Sequence, residues 1–351
     1  MEDYDTMEIQ EIITRLCRTE GPSGFEDNAA KCACELLRPY VDEIDTDVMG
    51  NVIAVRRCGR ENAPKLMLDA HLDEIGFIVT GYDGGFVKFA SIGGVDPRML
   101  PACEIKLLAN PPIYGIVCAA PACVQTGDAP EKAQKAEEMC IDVGMTAEQV
   151  KKAVPIGTPG VYRRTPNPFG EKFMCGKTMD DRSCFACLVK AAELLKDTKL
   201  NFDLYILGST QEEVGLRGAA AAAYSIYPDM CIAVDVCHAK TPDCKNWQTL
   251  DMGGGVVICR GPNMNRAFTD RIIAAAERCG AKYQIGAEPG GSSGTNTTAI
   301  QIARGGVCTA LLSLPLKYMH TPVEVISLED AEYTAMTLAA LCADIGGDGN
   351  D

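Results

Sequence analysis

The sequence predicts an α/β fold: a mixed, mainly parallel sheet flanked by helices, with a small β-barrel domain inserted into it. Patterns of buried strands alternate with helical patterns at both ends of the chain, which is the order that a largely parallel sheet produces. Between residues 77 and 173 the pattern changes to short β-like runs separated by Gly, Pro and Asp, typical of a small barrel or sandwich. We therefore predict a main domain of residues 1–76 and 174–351 and an inserted β-rich domain of residues 77–173.

Helical and strand patterns fill this outline in order. Helices are predicted at residues 6–18, 25–37, 145–153, 183–195, from 216 onward, 266–279 and 328–341. Strands are predicted at residues 41–47, 52–56, 65–69, 77–80, 86–89, 104–108, 113–117, 202–207, 230–235, 256–259, 282–285 and 307–312. Ser23 or a neighbour is a candidate cap of the second helix and Thr146 of the third. Loops are predicted at residues 128–139 and 290–298.

Charge and hydropathy exclude two classes of partner. The net charge is −15, from 33 basic and 48 acidic residues, which argues against nucleic acid because phosphate recognition needs a basic footprint. No apolar run approaches the roughly eighteen residues of a membrane span. The acidic N-terminus lacks the basic and apolar regions of a signal peptide. We expect neither a nucleic-acid nor a membrane partner.

The 18 cysteines are scattered through apolar helices and strands, as at Cys231 and Cys259. Because the chain is long and shows no export signal, we interpret them as buried free thiols in a reducing cytoplasm. Cys184 and Cys187 match the C-x-x-C spacing, but they have no partner pair and lie in a predicted helix. Core packing is therefore favoured over zinc or redox chemistry.

Two adjacent carboxylates, Glu212 and Glu213, follow a predicted buried strand and precede a helix. Ligands of open α/β sheets bind at this carboxyl end of the strands. A buried acid pair is costly unless a cation or a proton neutralises it. A solvated turn at the start of a helix would also suit acids, so the pair alone leaves both interpretations open.

Histidines, of which the chain has only three, and several acidic residues fall at the same predicted edge of the sheet. Two of the three histidines, His71 and His320, follow core strands, each with a carboxylate nearby, Asp73 and Glu324. The acids at strand ends or at the starts of elements are Asp180, Glu212, Glu213 and Asp235. Imidazole together with carboxylate suits zinc, cobalt or manganese. This set is sufficient for two metal ions that share a bridging carboxylate, the usual arrangement for metal-assisted hydrolysis.

Five motifs together resemble those of a known family. They are Ala-His-Leu-Asp-Glu-Ile-Gly at residues 70–76, Asp-Asp-Arg at 180–182, Gln-Glu-Glu-Val-Gly at 211–215, Asp-Val at 235–236 and His-Thr-Pro-Val-Glu at 320–324. In order and spacing they are similar to the motifs of the glutamyl-aminopeptidase family of dinuclear metallopeptidases, also labelled cellulase M or endoglucanase. The resemblance extends from Gly-Pro-Ser-Gly-Phe at residues 21–25 to the final helix.

The resemblance implies a set of metal ligands. His71 and Asp235 would hold one ion, Glu213 and His320 would hold the other, and Asp180 would bridge both. The implied cofactors are two divalent metal ions per subunit, zinc or cobalt, with manganese as an alternative. The implied fold is that of the zinc peptidases.

The same resemblance implies the catalytic roles and the partners. Glu212 would act as the general base on the bridging water, and Asp73 would orient His71. The substrates would be peptides, and the chain would form a homo-oligomer, often a dodecamer in this family. The inserted domain, residues 77–173, would then shape access to the site and subunit contacts.

Three features depart from the family pattern. Asn296 follows Gly294 and Thr295 where family members often carry Gly-Thr-Asp, which would remove a charge near the substrate pocket. His238 stands where the family has no histidine, and we interpret it as a surface residue. Residues 118–128 lack a histidine that the family leads us to expect.

We predict a cytoplasmic, metal-dependent aminopeptidase that removes N-terminal residues from peptides. A deacylase or carboxypeptidase of the same fold is an alternative, and so is a glycosidase, although glycosidases use an acid pair without metals. A non-catalytic scaffold of the same fold is a third alternative. Such a scaffold would be expected to have lost a ligand or the base, yet this chain retains all of them.

Overall fold

The computed structural model describes residues 7–119, 134–242, 244–245, 249–288 and 294–347. Its helices are α1 (Ile9–Cys17), α2 (Asp27–Leu37), α3 (Ala147–Ala153), α4 (Met179–Leu194), α5 (Arg217–Ile226), α6 (Arg266–Cys279), α7 (Thr297–Gln301) and α8 (Leu328–Gly347). None of these described helices is long and apolar enough to cross a membrane. Parts of the predicted loops at 128–139 and 290–298, and most of the histidine-free stretch 118–128, lie outside the described residues.

The large sheet is mixed, with its parallel strands at the centre. In spatial order its strands are β1 (Glu43–Thr46), β2 (Val52–Arg56), β12 (Asp203–Ser209), β3 (Lys65–His71), β13 (Met230–His238), β16 (Cys308–Lys317), β17 (Glu324–Ser327), β11 (Phe173–Gly176) and β10 (Asn167–Phe169), while β14 (Val256–Arg260) pairs with β16 and with β15 (Tyr283–Ala287). The central strands β12, β3, β13 and β16 are parallel to one another. The pairs toward both ends of this order are antiparallel. The predicted mixed, mainly parallel sheet is confirmed.

Helices cover both faces of this sheet. Along β12, Leu204 and Ile206 belong to the larger hydrophobic core, which also contains the buried residues of α1, α2, α4, α6 and α8. Tyr205 and Leu207 belong to the core on the opposite face, together with three alanines of α5 and Ile300 of α7. Successive side chains of a strand point to opposite faces. A strand buried on both sides therefore has a continuous apolar sequence, as β12 does.

The barrel is closed by six antiparallel strands. They are β4 (Gly76–Asp83), β5 (Phe86–Ile92), β6 (Glu104–Leu107), β7 (Ile113–Val117), β8 (Cys140–Asp142) and β9 (Pro159–Tyr162). In its interior Phe77 meets Phe89 and Tyr162 edge to face, with ring centroids 5.5 and 5.1 Å apart. The predicted small barrel is confirmed. The strand β10, which lies within residues 77–173, pairs with β11 in the large sheet, and the domain limits themselves stay a prediction.

The ends of several elements differ from the sequence prediction. Thr146 caps α3 as predicted, because its hydroxyl accepts the N–H of Gln149 at 3.3 Å. Ser23 does not cap α2, because its hydroxyl donates to Asp73 Oδ2 at 2.6 Å. α4 begins at Met179 rather than at residue 183, with two residues of non-helical conformation in its first turn. The C-x-x-C cysteines are buried within α4, as predicted.

Candidate active site

Strand register brings several predicted site residues to one edge of the large sheet. Ser209, the last residue of β12, pairs with His71, the last residue of β3. On the other side of β3, Ala233 of β13 pairs with Asp69, so Asp235 lies two residues farther along, level with His71. Because these strands are parallel, their carboxyl ends meet at the same edge, where α/β sheets bind ligands.

The other predicted residues reach this edge from loops. Glu212 and Glu213 lie between β12 and α5, and His320 lies between β16 and β17. His320 has a φ of 61°, a left-handed conformation that is uncommon outside glycine. Asp180 lies in the non-helical first turn of α4, with φ −80° and ψ 106°. The directions of the His320 and Asp180 side chains therefore depend on irregular backbone conformations and not on a regular helix or strand.

His71, Asp180 and Asp235 form the first group of potential metal ligands. One donor atom of each side chain lies within 4.8 Å of the others. His71 Nε2 is 3.1 Å from Asp180 Oδ1. All three residues are buried, so little of this group is exposed to bulk water.

Asp180, Glu213 and His320 form the second group, again with donor atoms within 4.8 Å of one another. His320 Nε2 lies 3.4 Å from Asp180 Oδ2 and 3.4 Å from Glu213 Oε2. Asp180 therefore turns Oδ1 toward the first group and Oδ2 toward the second.

This donor set fits two divalent ions. Donors bound about 2.0–2.2 Å from a tetrahedral ion lie about 3.3–3.6 Å from one another. The distances from Asp180 to His71 and to His320, 3.1 and 3.4 Å, lie in or close to that range. A carboxylate that offers one oxygen to each of two groups is the arrangement of a bridging ligand in a two-metal site.

The electrostatics of the two groups also fit cations. Burial and the charges of nearby carboxylates raise the pKa of Glu212 and of Glu213 to about 8, although the imidazoles oppose this shift. Burial and the charge of Glu212 raise the pKa of Asp235 well above its usual range. Burial lowers the pKa of His320, but the hydrogen bond to Asp180 and the charge of Glu213 outweigh it and bring that pKa to about 10. Bound cations reverse such shifts, because they favour ionised carboxylates and neutral imidazoles.

Asp73 holds both glutamates through their main chain. Its Oδ1 accepts the N–H of Glu212 at 3.0 Å, and its Oδ2 accepts the N–H of Glu213 at 3.1 Å. The Ser23 hydroxyl donates to the same Oδ2. His71 Nδ1 lies 3.2 Å from the carbonyl oxygen of Asp73 and 3.4 Å from Oδ1. The role of Asp73 in orienting His71 stays a prediction. Its hydrogen bonds with the main chain of Glu212 and Glu213 are a second contribution, which the sequence did not predict.

Glu324 joins the main chains of two potential ligands. Its Oε1 accepts the N–H of His320 at 2.9 Å, and its Oε2 accepts the N–H of Asp180 at 3.2 Å. The sequence placed Glu324 near His320 because only four positions separate them. The contact with Asp180 spans 144 positions and has no sequence signal of its own.

A cavity of about 990 Å³ opens onto both groups of ligands. Glu212 lines it together with Glu213, but Glu212 belongs to neither ligand group. The cavity continues along β14 and β15, past Val257 and Cys259. His238 is exposed, as predicted, and it also lines this cavity without joining either ligand group in the described part of the chain.

Asn296 directly precedes α7, and its side chain packs against the sheet rather than lining the cavity. It is buried, and its Nδ2 donates to Asp69 Oδ2 and to Ser209 Oγ, each at 2.9 Å. Burial raises the pKa of Asp69 to about 6. An aspartate at position 296 would therefore place a second buried carboxylate against Asp69, and like charges repel. This differs from the sequence expectation: Asn296 affects the packing behind His71 more directly than the charge of the substrate pocket.

Comparison with known proteins agrees with this geometry. The sequence matches the M42 glutamyl aminopeptidase family over residues 50–336. It is 33% identical to the lysyl aminopeptidase of Pyrococcus furiosus, over 95% of this chain and 97% of that protein. The aminopeptidase APDkam598 of Desulfurococcus kamchatkensis has a similar structure, with a TM-score of 0.86, 29% identity, and coverage of 96% of this chain and 94% of that chain.

A third relative is known for its assembly. The TET1 peptidase of Pyrococcus horikoshii can assemble into a tetrahedron or a large octahedral shell, and the PhTET1-12s structure is a dodecamer. The former has a TM-score of 0.84 and 26% identity to this chain, with coverage of 95% of this chain and 99% of that chain. Since the family match covers most of the sequence and the cluster of histidines and carboxylates falls within it, this chain belongs to the M42 glutamyl aminopeptidase family and is a metal-dependent aminopeptidase.

Proposed function

We propose that this chain removes N-terminal residues from peptides with two divalent ions bound at the edge of its large sheet. His71 and Asp235 would hold one ion, Glu213 and His320 would hold the other, and Asp180 would bridge them. The observation that supports this most directly is the orientation of Asp180, whose two carboxylate oxygens face different ligand groups. Zinc, cobalt and manganese all suit a donor set of imidazole and carboxylate.

The ions, when bound, would polarise the scissile carbonyl and lower the pKa of the attacking water. Glu212 then takes the proton from that water and passes it to the leaving amine. A carboxylate suits this exchange when its pKa lies near the working pH, since it must both accept and release a proton. Glu212 lines the cavity without belonging to a ligand group, which leaves its carboxylate available to the substrate.

Two sets of main-chain contacts hold these side chains in place. Asp73 fixes the N–H groups of Glu212 and Glu213, so the base and a ligand keep a constant separation. Glu324 fixes the N–H groups of Asp180 and His320 in the same way. Positioned groups of this kind contribute to catalysis because less reorganisation remains to be done in the transition state.

Assembly and location form a second part of the proposal. The dodecamer and shells of the related TET1 peptidases support a homo-oligomer, with the barrel of residues 77–173 shaping access and subunit contacts. The cysteines in the described ranges are free thiols, which favours a reducing cytoplasm. A particle mass equal to one chain of 37.6 kDa in light scattering would contradict the assembly.

One experiment tests the proposed reaction. The protein is stripped with a chelator, refilled stepwise with zinc, cobalt or manganese, and assayed on aminoacyl p-nitroanilides and on their N-acetylated forms. We expect activity to be lost on stripping, to return up to two ions per chain, and to require the free amine. Equal cleavage of the acetylated substrates would contradict an aminopeptidase, and full activity in a metal-free sample would contradict the metal mechanism.

A further inference from the structure

The cavity beside the metal ligands has a second acidic feature, Glu288, which no step of the proposed reaction uses. Glu288 follows β15 directly and lines the same cavity as Asp180 and Glu212. It is half-buried, and its main-chain N–H donates to the carbonyl of Arg260 at 2.9 Å, which continues the pairing of β14 with β15. Its side chain is therefore held on a strand edge rather than on a free loop.

The wall that carries Glu288 includes the apolar side chains of Val257 and Cys259. Gly286 pairs with Cys259 across the two strands, and side chains two positions apart share a face of a strand. Gly286 and Glu288 therefore point to the same side. A Cβ at position 286 would lie 2.8 Å from Val257 Cγ1, so glycine keeps this part of the wall free. The result is a hydrophobic strip with one carboxylate at its border.

Glu288 and the potential metal ligands line one cavity. Cys237, two positions after Asp235, and Cys259 of β14 belong to the same lining. A residue whose carbonyl reacts at the ions can therefore extend its side chain along this wall.

The carboxylate of Glu288 lacks a counter-ion within the described ranges. Burial raises the pKa of Glu288, and no described cation offsets that effect. Among the described residues, those that line the cavity include no lysine or arginine. A desolvated carboxylate gains most from a cation that it can pair and hydrogen-bond with.

We propose that Glu288 selects peptides whose N-terminal residue is lysine or arginine, by accepting the ammonium or guanidinium group at the wall formed by β14 and β15. The methylene chain of such a residue covers Val257 and Cys259, while its charge pairs with Glu288. Long basic side chains combine an apolar stem with a charged head, which matches an apolar wall bordered by a carboxylate. An acidic N-terminal residue is disfavoured because the cavity already contains several carboxylates. This inference rests on the proposed aminopeptidase function.

The test compares two substrates that differ only in the charge. Lysine and norleucine p-nitroanilides have the same four-carbon stem, but norleucine lacks the ammonium group. We expect the kcat/KM of the wild-type enzyme to favour lysine by about 10- to 100-fold, the range of a hydrogen bond to a charged group. Glu288→Gln should reduce that preference to about threefold or less by lowering the value for lysine, with norleucine unchanged.

Two further variants make the result specific. Glu277→Gln changes an exposed carboxylate of α6 that does not line the cavity, and it should keep the wild-type preference. Glu288→Lys should disfavour lysine and allow cleavage of glutamate p-nitroanilide. A lysine to norleucine ratio that Glu288→Gln leaves unchanged, or a wild-type preference for norleucine, would overturn the inference while leaving the aminopeptidase intact. Failure of the wild-type enzyme on every free-amine substrate would instead reject the proposed function.

Discussion

Two buried ionic clusters lie next to each other in this fold, and they differ in where their counter-ions come from. The first, which we call the salt-bridge cluster, consists of Glu74, Lys177 and Arg182. Lys177 Nζ contacts both oxygens of Glu74, at 2.6 and 2.8 Å, and Arg182 Nη2 lies 3.2 Å from Oε1. Arg182 also donates to the carbonyl oxygens of Leu72 and Leu16. Here the chain supplies both signs of charge.

The second cluster, which we call the acidic centre, has four carboxylates and two imidazoles. Its members are His71, Asp180, Glu212, Glu213, Asp235 and His320. Two segments contribute to both clusters, since His71 lies three positions before Glu74, and Asp180 lies between Lys177 and Arg182. Nearby positions of one segment thus contribute to a cluster whose buried charges are paired and to a cluster in which carboxylates outnumber their cationic partners.

The difference separates structural charges from functional ones. Burying an ion costs several kcal/mol, and a partner of opposite sign with good hydrogen bonds offsets most of that cost. The salt-bridge cluster meets this condition with its own residues, so it can hold the fold together. The acidic centre meets it only in part, because two imidazoles face four carboxylates, and cations from outside would complete the compensation. Perturbed carboxylates in a cleft are typical of functional sites.

The largest effect is expected within the acidic centre, where Glu212 and Glu213 are neighbours with different proposed roles. Glu212→Gln keeps the shape of the side chain but cannot accept a proton, and a general base contributes roughly 10²–10⁴-fold. We expect this variant to bind both ions and to lose about two to four orders of magnitude in turnover. Glu213→Gln is the matched control: it should weaken metal binding first, and excess metal should recover part of the activity. Metal content and turnover are measured for both, and the opposite pattern would mean that the two roles are reversed.

A smaller effect, on stability rather than turnover, is expected in the salt-bridge cluster. Lys177→Met removes one cation and leaves Glu74 buried with Arg182 alone. Removing one partner of a buried ion pair costs about 3–5 kcal/mol, so urea unfolding of the metal-free protein should show a loss of about 3 kcal/mol.

The control for this change is Lys282→Met, which removes an exposed lysine 3.7 Å from Glu329. Exposed pairs contribute about 0–1 kcal/mol, so this variant should unfold close to the wild-type midpoint. If Lys177→Met unfolds at the same urea concentration as Lys282→Met, the salt-bridge cluster does not stabilise the fold as the comparison requires.

The sequence predicted the parts of this molecule that depend on local pattern. The central strands have continuous apolar sequences, and polar residues follow their carboxyl ends, so the sheet edge that collects His71 and Asp235 could be expected. The barrel was predictable from short runs between Gly, Pro and Asp. These features need only periodicity and the rule that parallel strands share an end.

The contacts behind the site could not be predicted in the same way. Ser23 and Asp73 are 50 positions apart, and Asn296 and Asp69 are 227 apart. A serine after a Gly-Pro pair has the local signature of a helix cap, but in the folded chain a buried carboxylate competes for its hydroxyl. Such pairings depend on the tertiary fold, which brings together groups that carry no mutual signal in one sequence.

The third prediction concerns Glu26, which shares one property with each cluster. Like Glu74 it accepts hydrogen bonds from the chain, and like the acidic centre it lacks a lysine or arginine partner among the described residues. It is buried, and its Oε1 accepts the N–H groups of Gly24 at 2.7 Å and of Gln211 at 3.1 Å, yet it has no cationic partner among the described residues. Burial raises the pKa of Glu26 to about 7, and the charge of Asp73 adds to the shift. Because the folded protein holds this proton more tightly than the unfolded chain, the contribution of Glu26 to stability is complete below about pH 4.5 and is lost as the pH rises through about 7.

Glu26→Gln therefore tests whether an uncompensated carboxylate weakens the fold at higher pH. Glutamine can still accept both N–H groups but does not ionise, so the variant should match the wild type near pH 4.5 and exceed it by about 1–2 kcal/mol at pH 8, after allowance for solvent screening. Urea unfolding of the metal-free proteins at several pH values measures the difference. Glu35→Gln, on the exposed side of the same helix, should show no such dependence on pH. The expectation fails if the difference in stability between Glu26→Gln and the wild type stays constant from pH 5 to pH 8. Main-chain hydrogen bonds alone would then compensate the buried charge of Glu26. In that case the two clusters would differ in their hydrogen-bond donors rather than in their cations.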